Sequence, residues 1–264
     1  MTQEKIKQIT DSFAAVRSRM DAALSRRKPG VGITDRVDLL AATKTVPPEE
    51  ILFAVRELGL SLIGENRESE LTEKYPFLEG QVPQHFIGHL QTNKVRRVVG
   101  RVAMIESVDS EHLAAEIDRR SAALGITTDI LVEVNSGREE NKGGIYPENV
   151  LAAAERFMQF EHLRVRGMMT MAPICAEKED YRKYFQETYA IFIDFLSKNK
   201  HNIIEPVLSM GMSDSYEIAI EEGATQVRVG SALFGRRAYP PKDEAANTVS
   251  QYNIINTVKT DAEV

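Results

Sequence analysis

From residue 37 onward, short apolar runs alternate with amphipathic stretches, and this alternation limits the folds open to the chain more than any other feature. Strands are predicted at 37–42, 60–63, 85–88, 102–105, 129–134, 163–169, 206–210 and 226–229. Helices are predicted between them at 48–58, 68–75, 91–99, 110–124, 147–158, 181–196 and 216–222. The punctuation agrees with this reading. Pro48 and Pro147 stand at helix starts, Ser110 is placed to cap one, and Gly59 and Gly223 stand at helix ends. Strict alternation implies parallel strands joined by right-handed crossovers. Eight such units in 264 residues favour a single closed (β/α)8 barrel of the α/β class over an open doubly wound sheet. No Gly-x-Gly-x-x-Gly follows the first strand, which counts against a dinucleotide-binding fold.

Ahead of the barrel, Ile6, Ile9, Phe13, Val16 and Met20 recur at helical spacing, so an extra N-terminal helix is predicted on the barrel exterior. Lys28-Pro29-Gly30 breaks it. The barrel is assigned to residues 1–237. Beyond it, the chain turns polar through Pro240 and Pro241, and 238–264 is read as a tail.

A formal net charge of −6 argues against a nucleic-acid partner. The one basic cluster, Lys94, Arg96, Arg97 and Arg101, is read as a solvated helix face. A single cysteine, Cys175, excludes an internal disulfide and a multi-cysteine metal site, and it fits a reducing compartment. The N-terminus is charged and no apolar run approaches the length of a membrane span, so the expected location is the cytoplasm.

In a barrel, polar residues at the carboxyl ends of strands are the candidates for function. Those ends hold Lys44, Glu65, Asn66, His89, Glu106, Ser107, Asn135, Thr170, Ser209, Ser213, Gly230 and Ser231. The set is rich in hydrogen-bonding groups and lacks clustered metal ligands. Lys44 ends the first apolar run; a lysine held there, partly desolvated, can form a Schiff base. After strands seven and eight, Ser213, Gly230 and Ser231 let backbone N–H groups approach an anion, at the usual phosphate position of such barrels. Gly230 and Ser231 also lead toward a short helix. Arg228 alternates with Val227 and Val229 and so points into the barrel, either toward a ligand or into a structural ion pair. A Schiff-base lysine, a phosphate cradle and an arginine between them fit pyridoxal 5'-phosphate (PLP), with Arg228 toward the ring nitrogen.

Six segments then carry a family resemblance: Ala41-Ala42-Thr43-Lys44, IGENR at 63–67, HFIGHLQTNK at 85–94, GMMTM at 167–171, LSMGMS at 208–213 and VRVGS at 227–231. In this order they resemble the PLP homeostasis proteins, over roughly residues 5 to 237. The resemblance implies a barrel like the N-terminal domain of alanine racemase, with PLP on Lys44. It also implies that Ser213, Gly230 and Ser231 hold the phosphate and that Arg228 faces the ring nitrogen. Through their motifs, Asn66, His89, Met168, Ser209 and Met210 join the cofactor-binding set.

Two functions use such a site. One is a non-catalytic carrier that stores, buffers or delivers PLP, with PLP-dependent apo-enzymes as its partners; the other is a racemase-like enzyme. Racemisation needs an acid/base on each face of the Cα carbon. In alanine racemase, one of these is a tyrosine from a separate β domain across a dimer. This chain ends too soon to hold that domain, so the expectation is a monomer. A cationic partner at the ring nitrogen also weakens the cofactor as an electron sink. The carrier reading is preferred, and it is the one the resemblance implies.

Overall fold

Eight parallel strands close into a barrel in sequence order, with β1 hydrogen-bonded to β8. The computed structural model describes residues 1–199 and 203–235; the expected tail at 238–264 lies outside them. The strands are β1 (Asp38–Ala42), β2 (Ile63–Glu65), β3 (Gln84–Phe86), β4 (Met104–Val108), β5 (Thr128–Val134), β6 (Leu163–Thr170), β7 (Val207–Met210) and β8 (Gln226–Val229). The helices are α1 (Gln3–Ser25), α2 (Pro48–Leu58), α3 (Glu68–Leu78), α4 (Glu111–Leu124), α5 (Val150–Phe157), α6 (Arg182–Lys198), α7 (Tyr216–Glu221) and α8 (Ser231–Phe234).

Local chemistry sets these boundaries. Pro48 opens α2, where its missing N–H costs nothing, and Gly59 closes it at φ 64°. Ser110 caps α4 by accepting a hydrogen bond from the Leu113 N–H at 3.3 Å. The second strand starts later than predicted because Leu60 completes the end of α2, its N–H donating to the Ala54 carbonyl at 3.0 Å. The fourth strand also lies further along. Glu106 and Ser107 read as a polar strand end, yet both are buried within β4. Between β3 and β4 the predicted helix is only a 3-10 turn, Thr92–Arg97, held by i to i+3 bonds.

One large core fills the layer between barrel and helices, and the outward positions of the strands feed it: Ala41, Ile63, Phe86, Ile105, Ile130, Val132, Leu208, Val227 and Val229. As expected, α1 packs on the outside, against α2, α7 and α8. Its buried stripe is Ile9, Phe13, Val16, Met20 and Ala23. The Phe13 ring meets Phe234 of α8 edge to face, with centroids 5.8 Å apart.

Candidate functional site

Inward-facing positions build the floor of the site. Glu106 on β4 is fully buried and accepts hydrogen bonds from Ser209 Oγ at 2.6 Å and Gln226 Nε2 at 2.7 Å. His85 Nδ1 lies 2.6 Å from Oε1, the oxygen that Gln226 also reaches. These side chains come from β3, β4, β7 and β8, so they can meet only across the barrel interior. Arg228 joins them, donating from Nη1 to Ser209 Oγ at 2.7 Å and from Nη2 to the Thr170 carbonyl at 2.8 Å. Burial opposes charge on Glu106, yet His85, Arg228 and Ser209 together hold its carboxyl below the usual range. Burial likewise lowers the Arg228 guanidinium from its ordinary value, opposed by the charges of Glu106 and Glu133. The sequence left two roles open for Arg228. The structure gives it internal acceptors that fix its orientation inside the barrel.

Lys44 stands just past the end of β1, in a turn closed by the Val46 N–H on the Thr43 carbonyl at 2.9 Å. It is exposed. The strand ends at Ala42, and the turn lifts Lys44 above the packed layer. The next residue, Thr45, has φ 62°. That region is natural for Gly or Asn in this turn position and costs a β-branched residue about 1–3 kcal/mol.

Beside β1, at the seam where β8 closes the barrel, lie the residues expected to cradle an anion. Ser213 Oγ accepts from the backbone N–H groups of Gly230 at 3.3 Å and Ala232 at 3.4 Å. Ser231, exposed, opens α8 beside them. Gly211 turns β7 into this loop at φ 90°, and its carbonyl accepts the Arg228 N–H at 3.0 Å. Pairing of β1 with β8 places Ala41 beside Val229. Gly230 then passes so close to β1 that an added Cβ would lie 3.0 Å from the Ala42 carbonyl oxygen. Lys44 and the cradle, far apart in sequence, therefore rise from adjacent strands.

The other sequence candidates divide. Asn66 and His89 share a groove of about 260 Å³ floored by Phe86 and Leu90, with Lys94 at its side. Asn66 Oδ1 is buried there without a hydrogen-bond partner, and His89 is exposed, its Nδ1 3.7 Å from Asp109. Ser209 lies in the floor. Met168 and Met210 differ: their side chains are fully buried in the outer core and do not face the barrel interior. Alternation puts Met169 and Ser209 inward instead. Among the strand ends, Asn135 is spent on its own loop, donating to the carbonyls of Glu139 at 2.9 Å and Lys142 at 3.4 Å. Glu65 faces outward to Lys74.

Three interior residues were missed: His85, Gln226 and Glu133. The signal was present, since Gln226 and Arg228 stand two apart on one strand, as do Leu131 and Glu133. Glu133 is nearly buried on β5 and lies under the loop carrying Gly143, near Asp109. Burial, aided by the charge of Asp109, pushes its carboxyl up to about 7, against the pull of Arg228.

A group with a phosphate, a flat ring and an aldehyde fits these residues. The glycine cradle admits an anion where a Cβ would crowd β1, and the unpartnered Asn66 oxygen calls for a donor.

Comparison with known proteins gives concordant results. The model of the family described as "Alanine racemase, N-terminal domain" matches residues 52–238. A protein of Aquifex aeolicus named "Pyridoxal phosphate homeostasis protein" is 44% identical over 202 residues, 76% of this chain and 87% of that protein. One of the same name from Schizosaccharomyces pombe is 34% identical over 203 residues, covering 75% and 84%. Among solved structures, PipY of Synechococcus elongatus with PLP bound superposes with a TM-score of 0.71 at 29% identity, covering 86% of this chain and all of that one.

Proposed function

Since the chain belongs to the pyridoxal phosphate homeostasis protein family, we propose that it binds PLP and serves in its intracellular storage, buffering or delivery. The observation that carries this reading is the β1–β8 seam, which sets Lys44 beside the Ser213–Gly230–Ala232 cradle. Bound PLP supplies an aldehyde that exchanges among amines. Lys44 Nζ would hold that aldehyde as a Schiff base, with release of water. The hydroxyls of Ser213 and Ser231 would donate to the phosphate, and the Gly230 and Ala232 N–H groups, which donate to Ser213 Oγ, would orient that hydroxyl. Arg228, whose orientation Ser209 and the Thr170 carbonyl fix, would face the ring nitrogen.

The carrier role is favoured over a racemase-like one. An arginine facing the ring nitrogen stays cationic and cannot protonate it as an acid would, which weakens the ring as an electron sink. Lys44 stands exposed, as loading and unloading require. The recipients are PLP-dependent apo-enzymes, and the site of action is the cytoplasm. Among the described residues, no helix is long and apolar enough to cross a membrane.

Two measurements test the function. PLP-loaded protein mixed with a PLP-dependent apo-enzyme should activate it faster than the protein's spontaneous release of PLP into buffer allows. In deuterated water, the protein should exchange the α-proton of a panel of amino acids no faster than free PLP does. Exchange well above that background would replace the carrier with the racemase reading.

A further inference from the structure

Behind the Lys44 turn, on its outer side, sits a charged cluster that the cofactor site does not use. Its members are Glu65 on β2 and Glu70 and Lys74 on α3. Lys74 is 7% exposed, an unusual burial for a lysine. Its ammonium donates to the Thr43 carbonyl at 2.7 Å and to Glu65 Oε1 at 2.8 Å, and stands 3.5 Å from Glu70. Thr43 Oγ1 donates to the same Glu65 oxygen at 2.6 Å. Glu70 Oε2 accepts the Thr45 N–H at 2.6 Å.

The placement of two of these bonds is the informative part. The Thr43 carbonyl belongs to the peptide unit before the Lys44 Cα, and the Thr45 N–H to the unit after it. Each unit is gripped by a side chain of one helix, four residues apart on one face. Gripping both peptide planes fixes φ and ψ of Lys44. Glu70 holds the peptide before Thr45 and the Val46 N–H on the Thr43 carbonyl holds the one after it, so together they keep Thr45 at φ 62°, a conformation this residue type rarely adopts unaided. Such outliers persist only where the surroundings over-determine them.

We propose that Glu70 and Lys74 are positioning residues for the Schiff-base lysine, clamping the peptides on either side of Lys44 so that its amine is presented toward the phosphate cradle. The proposal rests on the PLP reading. The clamp acts through the backbone and does not touch the cofactor, so it governs formation of the lysine bond and leaves phosphate and ring binding alone.

The test uses two ligands: PLP itself, and 4'-deoxypyridoxine 5'-phosphate, which has ring and phosphate but no aldehyde. The readout for PLP is the rate at which borohydride-fixed cofactor mass accumulates on the peptide containing Lys44. Glu70→Ala removes the acceptor for Thr45 and should slow labelling by about tenfold, within the range for a misplaced reacting group. Glu70→Gln keeps an oxygen acceptor and should label within about twofold of wild type. Glycine takes positive φ without strain, so adding Thr45→Gly to Glu70→Ala should recover part of the lost rate. Affinity for the deoxy compound should stay within about twofold in every variant, a result that general unfolding of the site would not give.

Lys74→Met leaves Glu65 buried without its cation, so it is paired with Glu65→Gln to keep the fold. The double variant should slow labelling as Glu70→Ala does. If Glu70→Ala labels Lys44 as fast as wild type, the clamp is overturned while the cofactor reading stands. A parallel loss of affinity for the deoxy compound overturns it too. If wild type takes no label at Lys44, the cofactor reading fails and the clamp falls with it.

Discussion

At the residue scale, two side chains make separable predictions. Lys44→Ala removes the amine but none of the cradle. It should abolish the absorption band of the protonated lysine aldimine, leaving that of the free aldehyde, and still retain PLP, about 10- to 100-fold more weakly, as read by equilibrium dialysis. Glu133 makes a pH prediction for the PLP-free protein. Burial lifts its carboxyl from 4.5 to about 7. The folded state thus holds a proton that the unfolded state has released between those values, and stability falls as pH rises through them. Above 7 both states are ionised and the cost is complete, about 3 kcal/mol for a shift of this size. Glu133→Gln should therefore unfold at a higher urea midpoint than wild type at pH 8, and at nearly the same midpoint at pH 5. An equal gain at both values would contradict the assignment. Neither the exposure of Lys44 nor the depth of Glu133 was legible in the sequence. The first depends on a turn whose positive φ falls on a threonine, and the second on which strand face a lone carboxylate takes.

Among the elements, the end of β8 is the most consequential. Gly230→Ala would bring a Cβ to 3.0 Å from the Ala42 carbonyl and 3.3 Å from the Ala42 Cβ, tighter than comfortable contact. The β8 loop must then move off β1 by a few tenths of an ångström. PLP affinity should fall by about tenfold, whereas affinity for pyridoxal, which has no phosphate, should hardly change. Competition between the two ligands checks this. Element order was largely legible. The sequence predicted β8 at the residues observed, and α2 from Pro48 to Leu58, because apolar period and punctuation agreed. It failed where polar residues are buried. Glu106 and Ser107 marked the end of a strand by composition, yet they lie inside β4, where the interior network satisfies Glu106 and the Gly88 carbonyl accepts from Ser107. Met168 and Met210 depart from the expectation in side-chain direction, since both lie in the outer core. A motif shows that a residue belongs to a segment, and the parity of the strand decides which face it serves.

The whole molecule depends on closure. Lys44 comes early in the chain and Gly230 late, and only the β1–β8 pairing makes them neighbours. From outside, α1 secures that seam, contacting α2 after β1 and α7 and α8 around β8. Phe13→Ala should cost about 3–5 kcal/mol of stability, measured by urea unfolding, because a fully buried ring is lost at the contact with Phe234. The fold class was legible in the alternation, whereas the site became legible only when both ends of the chain were read as one surface. That surface makes one central claim: Lys44 and the Ser213–Gly230–Ala232 cradle hold a single PLP molecule. The most direct test is borohydride reduction of the PLP-loaded protein, followed by mass analysis of its peptides. The reduced cofactor should be found on the peptide containing Lys44, and excess inorganic phosphate should suppress it by competing for the cradle. A label on another lysine, or labelling of Lys44 indifferent to phosphate, would contradict the claim.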